Sequence, residues 1–277
     1  MMNLAWPELT IVAFDTETSG AYPLDSEICE IAAVKWEGGQ IVSEFQTLIK
    51  PTKIMSDFII GIHGITNEMV ASAPEIKEKI GEFRDFIEGA ILVAHHAPFD
   101  LGFLSVEFER FQQTLPSEPV LCSSLISRKI ILDSENHKLQ TLIKHLGLQQ
   151  GQAHRALDDA KACLELTLNC LNKFGEEKTL AQILELQEKP LYWRHYSVQA
   201  LLRNETTKTL VNAIEKKIKV DIIYQGGSLK GTRTIWPKGI VRNPDGDYLA
   251  AMDDVGGQGE GLVKRFYLGK IKEACSI

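Results

Sequence analysis

Three features of the sequence predict an α/β fold, a mixed sheet flanked by helices and followed by a small mostly-β unit. Leu9–Phe14 and Ile91–Ala94 are short apolar runs rich in β-branched residues, with the length of buried strands. Between and after them run longer stretches with helical periodicity, the pattern of a sheet covered by helices. From Val220 onward the chain changes to short strands separated by glycine-rich turns.

In chain order, Glu27–Trp36 and Gln40–Ile49 flank Glu37-Gly38-Gly39, a hairpin signal. Gly61-Ile62-His63-Gly64-Ile65-Thr66 reads as a loop. A helix is expected near Ala73–Glu88, opening at Pro74, because proline suits a first helical turn. The strand at 91–94 then leads through His95-His96-Ala97-Pro98-Phe99-Asp100 into a helix over Leu101–Gln112. After Pro119 comes the apolar run Val120–Cys122, then helices near Ser124–Ile131, Lys138–Leu146 and His154–Phe174. Gly175–Thr179 is polar and marks a change of style. Thr179–Glu188 and Thr206–Ile218 read as helices with Pro190 between them. Turns are expected at Gly226-Gly227, Asn243-Pro244-Asp245-Gly246 and Gly256-Gly257. There is no internal repeat and no low-complexity segment.

The first apolar run ends at Phe14 in a burst of acids, Asp15-Thr16-Glu17-Thr18-Ser19-Gly20. Side chains alternate on an extended chain, so Asp15 and Glu17 point the same way. Adjacent carboxylates repel unless a cation lies between them, and hard oxygen ligands suit Mg²⁺ or Mn²⁺. Asp-x-Glu at a strand end also describes an ordinary solvated turn. Two later stretches change the balance: Asp100 at the strand-to-helix junction, and His154-Arg155-Ala156-Leu157-Asp158-Asp159 opening a long helical pattern.

In order and separation, Asp15, Glu17, Asp100, His154 and Asp159 resemble the DEDD exonucleases of the histidine variety. That group contains the proofreading subunits of bacterial replicative polymerases. The resemblance spans about residues 9–174 and implies a ribonuclease-H-like fold. It also implies two divalent metal ions, Mg²⁺ or Mn²⁺. Asp15, Glu17 and Asp159 would hold the ion carrying the attacking water, and Asp15 and Asp100 the ion at the leaving 3′ oxygen. Two ions about 3.5–4 Å apart suit an in-line displacement. His154 would be the general base. The family spacing selects Asp159, five residues after the histidine, over the adjacent Asp158.

Ile62 and His63 match a family loop that lines the terminal-nucleotide pocket, although His-Gly also simply makes a turn. The backbone around Thr18 and Ser19 would touch the same nucleotide. Phe99 would pack against it, or else belong to the core. His95 matches the family's histidine, whereas His96 stands where the family usually has asparagine. The implied activity is 3′→5′ exonucleolytic release of nucleoside 5′-monophosphates from single-stranded DNA, with DNA favoured over RNA. A polymerase or other protein partner is compatible with it. The alternatives are an exoribonuclease trimming short RNA and a nucleic-acid-binding regulator using the fold as a scaffold.

The tail has its own resemblance. Val220–Tyr224, Thr232–Pro237, Asp247–Ala251 and Arg265–Ile271 look like a WYL domain, a small Sm-like barrel, over about residues 206–274. The chain departs from that pattern at Asp247, in place of tryptophan, and at Lys270, in place of arginine. Tyr224, Arg233, Tyr248 and Arg265, with Arg242 and Lys264, would bind phosphate and stack bases. Arginines at alternate strand positions equally describe a solvated face. The expected organisation is an exonuclease domain over 1–175, a helical linker over 176–205 and the WYL-like domain over 206–277.

Composition is ordinary for a soluble globular protein: 44% hydrophobic and 24% charged over 277 residues. No basic n-region with an apolar h-region opens the chain, and no apolar run approaches the ~18 residues of a membrane span. Five scattered cysteines without a C-x-x-C pair argue against disulfides or zinc and for a reducing cytoplasm. The net charge is −7, but residues 178–277 carry 16 Lys+Arg against 11 Asp+Glu, and residues 1–177 carry 14 against 26. An acidic metal-binding half beside a basic half suits phosphate handling. Modest asymmetry of this size is also common between domains.

Overall fold

The structure, a computed structural model, describes residues 1–149, 151, 153–226, 231–254 and 262–277. The first sheet has six strands: β1 (Ile11–Thr18), β2 (Ile28–Glu37), β3 (Gln40–Leu48), β4 (Ile91–Ala94), β5 (Pro119–Cys122) and β6 (Leu191–Tyr192). Their order is β3-β2-β1-β4-β5-β6. β1 pairs antiparallel with β2 and parallel with β4, so the sheet is mixed, as the sequence predicts. The hairpin β2–β3 falls where the glycines place it, with Gly38 and Gly39 both at positive φ.

β1 alternates strictly. Val12 and Phe14 face a core shared with α3 (Ile76–Phe86) and α4 (Pro98–Arg110). Ile11 and Ala13 face a second core shared with α5 (Ser123–Ile130), α6 (Leu139–Leu146), α7 (Ala156–Phe174) and α8 (Leu180–Gln187). The central strand therefore lies between the helices that carry the later carboxylates. It does not stop at Phe14; it continues to Thr18 and carries Asp15 and Glu17 within the sheet.

The segment read as a loop at 61–66 is partly helical. α1 (Asp57–His63) starts where Ser56 Oγ accepts from Ile59 N–H and ends at Gly64, φ 73°. α2 (Asn67–Val70) follows. The serine cap and the left-handed glycine were both visible in the sequence.

Residues 176–196 pack into the first unit. Leu180, Ile183 and Leu184 of α8 join the second core. Trp193 is fully buried in the first, with its ring 6.2 Å from Phe14 and 5.4 Å from Phe108. Buried Gln187 accepts from Cys122 N–H at 2.7 Å and donates to Val120 O at 3.3 Å, extending the edge of β5 before β6 begins. α9 (Val198–Leu201) crosses to the second unit. Its N-terminus is capped by Glu109 of α4, which accepts from Val198 N–H at 2.7 Å and Gln199 N–H at 3.0 Å.

The second unit has its own core. Leu210, Val211 and Ile214 of α10 (Glu205–Lys216) pack on Val220, Ile222, Ile235, Leu249 and Phe266. Its strands are β7 (Val220–Tyr224), β8 (Thr232–Val241), β9 (Tyr248–Asp253), β10 (Val263–Tyr267) and β11 (Ile271–Ser276), ordered β10-β9-β8-β7-β11. The expected barrel closure is not present among the described residues: the sheet is open, with β10 and β11 as its edges. α10 covers the apolar face, so the core is sealed without strand closure. The expected turn at Asn243–Gly246 joins β8 to β9, with Asn243 Oδ1 accepting from Asp245 N–H. The turns expected at Gly227 and Gly256-Gly257 lie outside the described residues. Among the described residues, no helix is long and apolar enough to cross a membrane.

Candidate active site

The carboxylates converge at the end of β1. Asp15 and Glu17 share the face of Ile11 and Ala13, toward α7, because two residues bring a strand back to the same side. Thr16, on the opposite side, donates from both N–H (3.0 Å) and Oγ1 (2.8 Å) to Asp100 Oδ1. Asp100 sits in the first turn of α4 and is 2% exposed. Asp159, in the first turn of α7, accepts from Gln140 Nε2 at 3.0 Å and from the His154 backbone N–H at 2.8 Å. His154 precedes the helix in a left-handed conformation, φ 60°, with its side chain exposed. Ligand atoms of Glu17, His154 and Asp159 all lie within 4.8 Å of one another.

Crowding of like charge sets the electrostatics. Burial, then the charges of Asp100, Glu17, Asp159 and Glu30, raise Asp15 well above the usual carboxylate range. Glu17 is pushed up to about 8 by burial and then by Asp159, Glu30 and Asp100. Asp100 is pushed up to about 7 by burial, with Thr16 pulling the other way. Asp159 is also raised, chiefly by burial. Four carboxylates held together against their own repulsion form an all-oxygen donor set, with one imidazole beside it. That set fits hard divalent cations, whose charge would relieve the repulsion. Asp158 packs elsewhere, against Gly151, where a Cβ would lie 2.4 Å from its Cγ.

Glu30 is the functional neighbour that sequence reading missed. It lies opposite Glu17 on β2 and is wholly buried. Its carboxylate accepts from Arg155 Nε (3.2 Å) and Nη2 (2.9 Å), from Gln46 Nε2 (2.9 Å) and from Ala156 N–H (3.1 Å). Burial pushes Glu30 up, but these hydrogen bonds outweigh it and hold the group below its ordinary value. Glu30 thus satisfies the first free N–H of α7 and anchors the residue between His154 and Ala156. The signal was a charged residue inside the otherwise apolar run Ile28–Val34, because a buried charge requires a partner.

The other expected site residues are placed as follows. His63 is 3% exposed, and its Nδ1 accepts from Ile65 N–H at 3.0 Å. Its Nε2 lies 3.8 Å from Cys29 Sγ, tying α1 to β2. Ile62 is exposed on α1. Thr18 Oγ1 donates to Gly20 O at 2.7 Å, and Ser19 Oγ accepts from Glu27 N–H at 2.9 Å. Phe99 packs on Phe103 at 5.0 Å and on the first core. His95 bridges Ser123 Oγ and His137 O, and burial pushes it down to about 4. Tyr224, Arg233, Tyr248 and Arg265 stand on or beside the strands of the second sheet. There Arg233 lies 5.6 Å from the Tyr224 ring and Arg265 4.9 Å from that of Tyr248.

Residues 12–167 match the family model described as "Exonuclease", RNase_T. A DNA polymerase III PolC-type protein of Oceanobacillus iheyensis is 35% identical over 224 residues, 79% of this chain and 16% of that protein. The Bacillus subtilis PolC-type protein is 37% identical over 182 residues, 65% of this chain and 13% of that protein. The chain therefore spans less than a fifth of these relatives' length. Among solved structures, exonuclease X with 5′ overhanging duplex DNA superposes with TM-score 0.51 at 27% identity, covering 64% of this chain and 99% of that one.

Proposed function

Because this chain belongs to the exonuclease (RNase_T) family of 3′→5′ exonucleases, we propose that it is a metal-dependent enzyme releasing nucleoside 5′-monophosphates from the 3′ end of single-stranded DNA. The observation that carries this reading is the convergence of Asp15, Glu17, Asp100 and Asp159 on one strand end, with His154 beside them. Asp15, Glu17 and Asp159 would hold one divalent ion, and Asp15 and Asp100 a second. Bound there, two such ions would polarise the phosphate and lower the pKa of a water. The chain's own part is to aim oxygens: Thr16 fixes Asp100, Gln140 and the His154 amide fix Asp159, and Glu30 fixes the start of α7. His154, exposed at the rim, takes the proton of the attacking water and gives it to solvent. DNA is favoured over RNA because the PolC-type relatives are DNA polymerases by name and exonuclease X is solved on DNA.

For residues 206–277 we propose a WYL-like module that binds strand phosphates and bases through Arg233, Arg265, Tyr224 and Tyr248. The cation–aromatic pairs support it. The test is a nuclease assay on 3′-labelled and 5′-labelled DNA and RNA single strands, with Mg²⁺, Mn²⁺ or chelator. Mononucleotides from the 3′ end, faster on DNA and absent with chelator or with Asp100→Asn, are expected. Equal cleavage with chelator would overturn the metal-dependent reading, and faster RNA cleavage the choice of DNA.

A further inference from the structure

A cleft of about 430 Å³ lies on the seam between the two units. His96, Ser124 and Arg128 line it from the first unit, and Asn243 and Asp245 from the β8–β9 turn, with Lys189 near the crossing. We propose that this cleft binds a backbone phosphate of the nucleic-acid strand upstream of the scissile bond, with Arg128 as its principal cation and Asp245 as a competing anion. The inference rests on the exonuclease reading and adds a subsite to it.

Four observations carry it. The first is position. Pro98, the first residue of α4, also lines the cleft, and Asp100 lies in the same helical turn. A strand whose end reaches the carboxylates has this wall beside it. The second is an unspent charge. Arg128 is exposed on α5, and among the described residues no carboxylate pairs with it. A planar guanidinium offers a phosphate two parallel donors. The third is shape: the walls belong to different units, so the cleft is concave, with polar groups on both sides. The fourth is the state of the other cation. Lys189 is paired with Asp245, whose side chain is 75% exposed and free to turn into solvent. A phosphate entering the cleft would take the place of that carboxylate on Lys189. Neutral His96 adds an imidazole without opposing the anion, since burial and Arg128 lower its proton affinity. The chemistry is that of a phosphodiester: negative, tetrahedral and repeating along a strand.

The experiment uses the full chain. Initial rates are measured on a thymidine nitrophenyl phosphodiester, a dinucleotide and a longer single strand, for the wild type, Arg128→Ala, Arg128→Lys and Asp245→Ala. For Arg128→Ala the KM on the longer strand should rise roughly tenfold, the scale of one charged hydrogen bond. Its log–log salt dependence should become shallower by about 0.7, the loss of one phosphate on single strands. kcat, and all rates on the small ester, should stay at wild-type values. Arg128→Lys should recover part of the KM, and Asp245→Ala should lower it. An unchanged KM on the longer strand in Arg128→Ala overturns the proposal, as does an equal loss on the small ester. Loss of inhibition by free thymidine monophosphate without any dependence on strand length would overturn it too, assigning the cleft to product. If the wild type cleaves none of the three substrates, the exonuclease reading itself fails, a result distinct from all of these.

Discussion

The Arg155 guanidinium lies along the buried carboxylate of Glu30, donating to both of its oxygens, and Glu30 is the cross-strand partner of Glu17. This pair joins the second strand of the sheet to the turn that carries His154. A carboxylate outside the proposed metal-binding group thus sets where His154 and Asp159 stand.

Glu30→Gln should therefore damage both stability and turnover. Breaking a buried pair costs about 3 kcal/mol, because one charge is left without its partner. The melting temperature should fall, and kcat should fall more than KM changes, since α7 loses its anchor while the nucleotide pocket is untouched. Arg155→Lys keeps the charge but loses the two-pronged fit, so its loss should be smaller. A Glu30→Gln protein with wild-type melting and kcat would refute this role.

His154→Asn preserves the left-handed backbone, which asparagine tolerates, and keeps the amide that bonds Asp159. Only the imidazole is lost. kcat should drop roughly 10²–10⁴-fold, the usual contribution of a general base. Mn²⁺ affinity by calorimetry should be close to that of the wild type. Loss of Mn²⁺ binding with kcat intact at saturating metal would reassign the residue.

The raised carboxylates predict how metal-free stability varies with pH. Glu17 titrates near 8 in the fold against an ordinary 4.5, and Asp100 near 7 against 3.8. Between these limits the folded chain holds protons that the unfolded chain has released. The unfolded state then binds fewer protons, so stability falls as pH rises from about 4 to about 8. Melting in chelator should show this fall, Glu17→Gln should flatten it, and Mg²⁺ should oppose it. A slope identical in wild type and Glu17→Gln would contradict the assignment.

A chain ending at Phe174 retains every proposed catalytic residue but lacks α8, β6 and Trp193. It should melt without cooperativity or aggregate, because the Leu180, Ile183, Leu191 and Trp193 sites would open two cores to water. A chain ending at Tyr196 restores those contacts and should melt cooperatively. Equal melting temperatures for the two would show that the last strand is dispensable.

The convergence of the acidic set was legible because each member lies in a local motif with its own chemistry, and strand periodicity already put Asp15 and Glu17 on one side. Glu30 was not legible as a partner, since its relation to Arg155 spans 125 residues. β6 is two residues long and carries no period to detect. The strands of the second unit could be read from their turns, but closure depends on which edges meet. β11 pairs with β7, a long-range choice that alternation does not encode. The tail arginines were legible as cations but not as neighbours of tyrosine rings.

The late return of the chain to its first sheet also matters while the protein is being made. Translation delivers Asp159 well before Leu191 and Trp193, so a nascent chain holds all its proposed catalytic residues while the slot beside Phe14 and Phe108 is still empty. Domains fold as units during synthesis, and an unfilled apolar slot is a site for misassembly until its own segment arrives. The first unit can therefore complete its two cores only once the α8–β6 segment has emerged, close to the moment when Glu109 can receive α9.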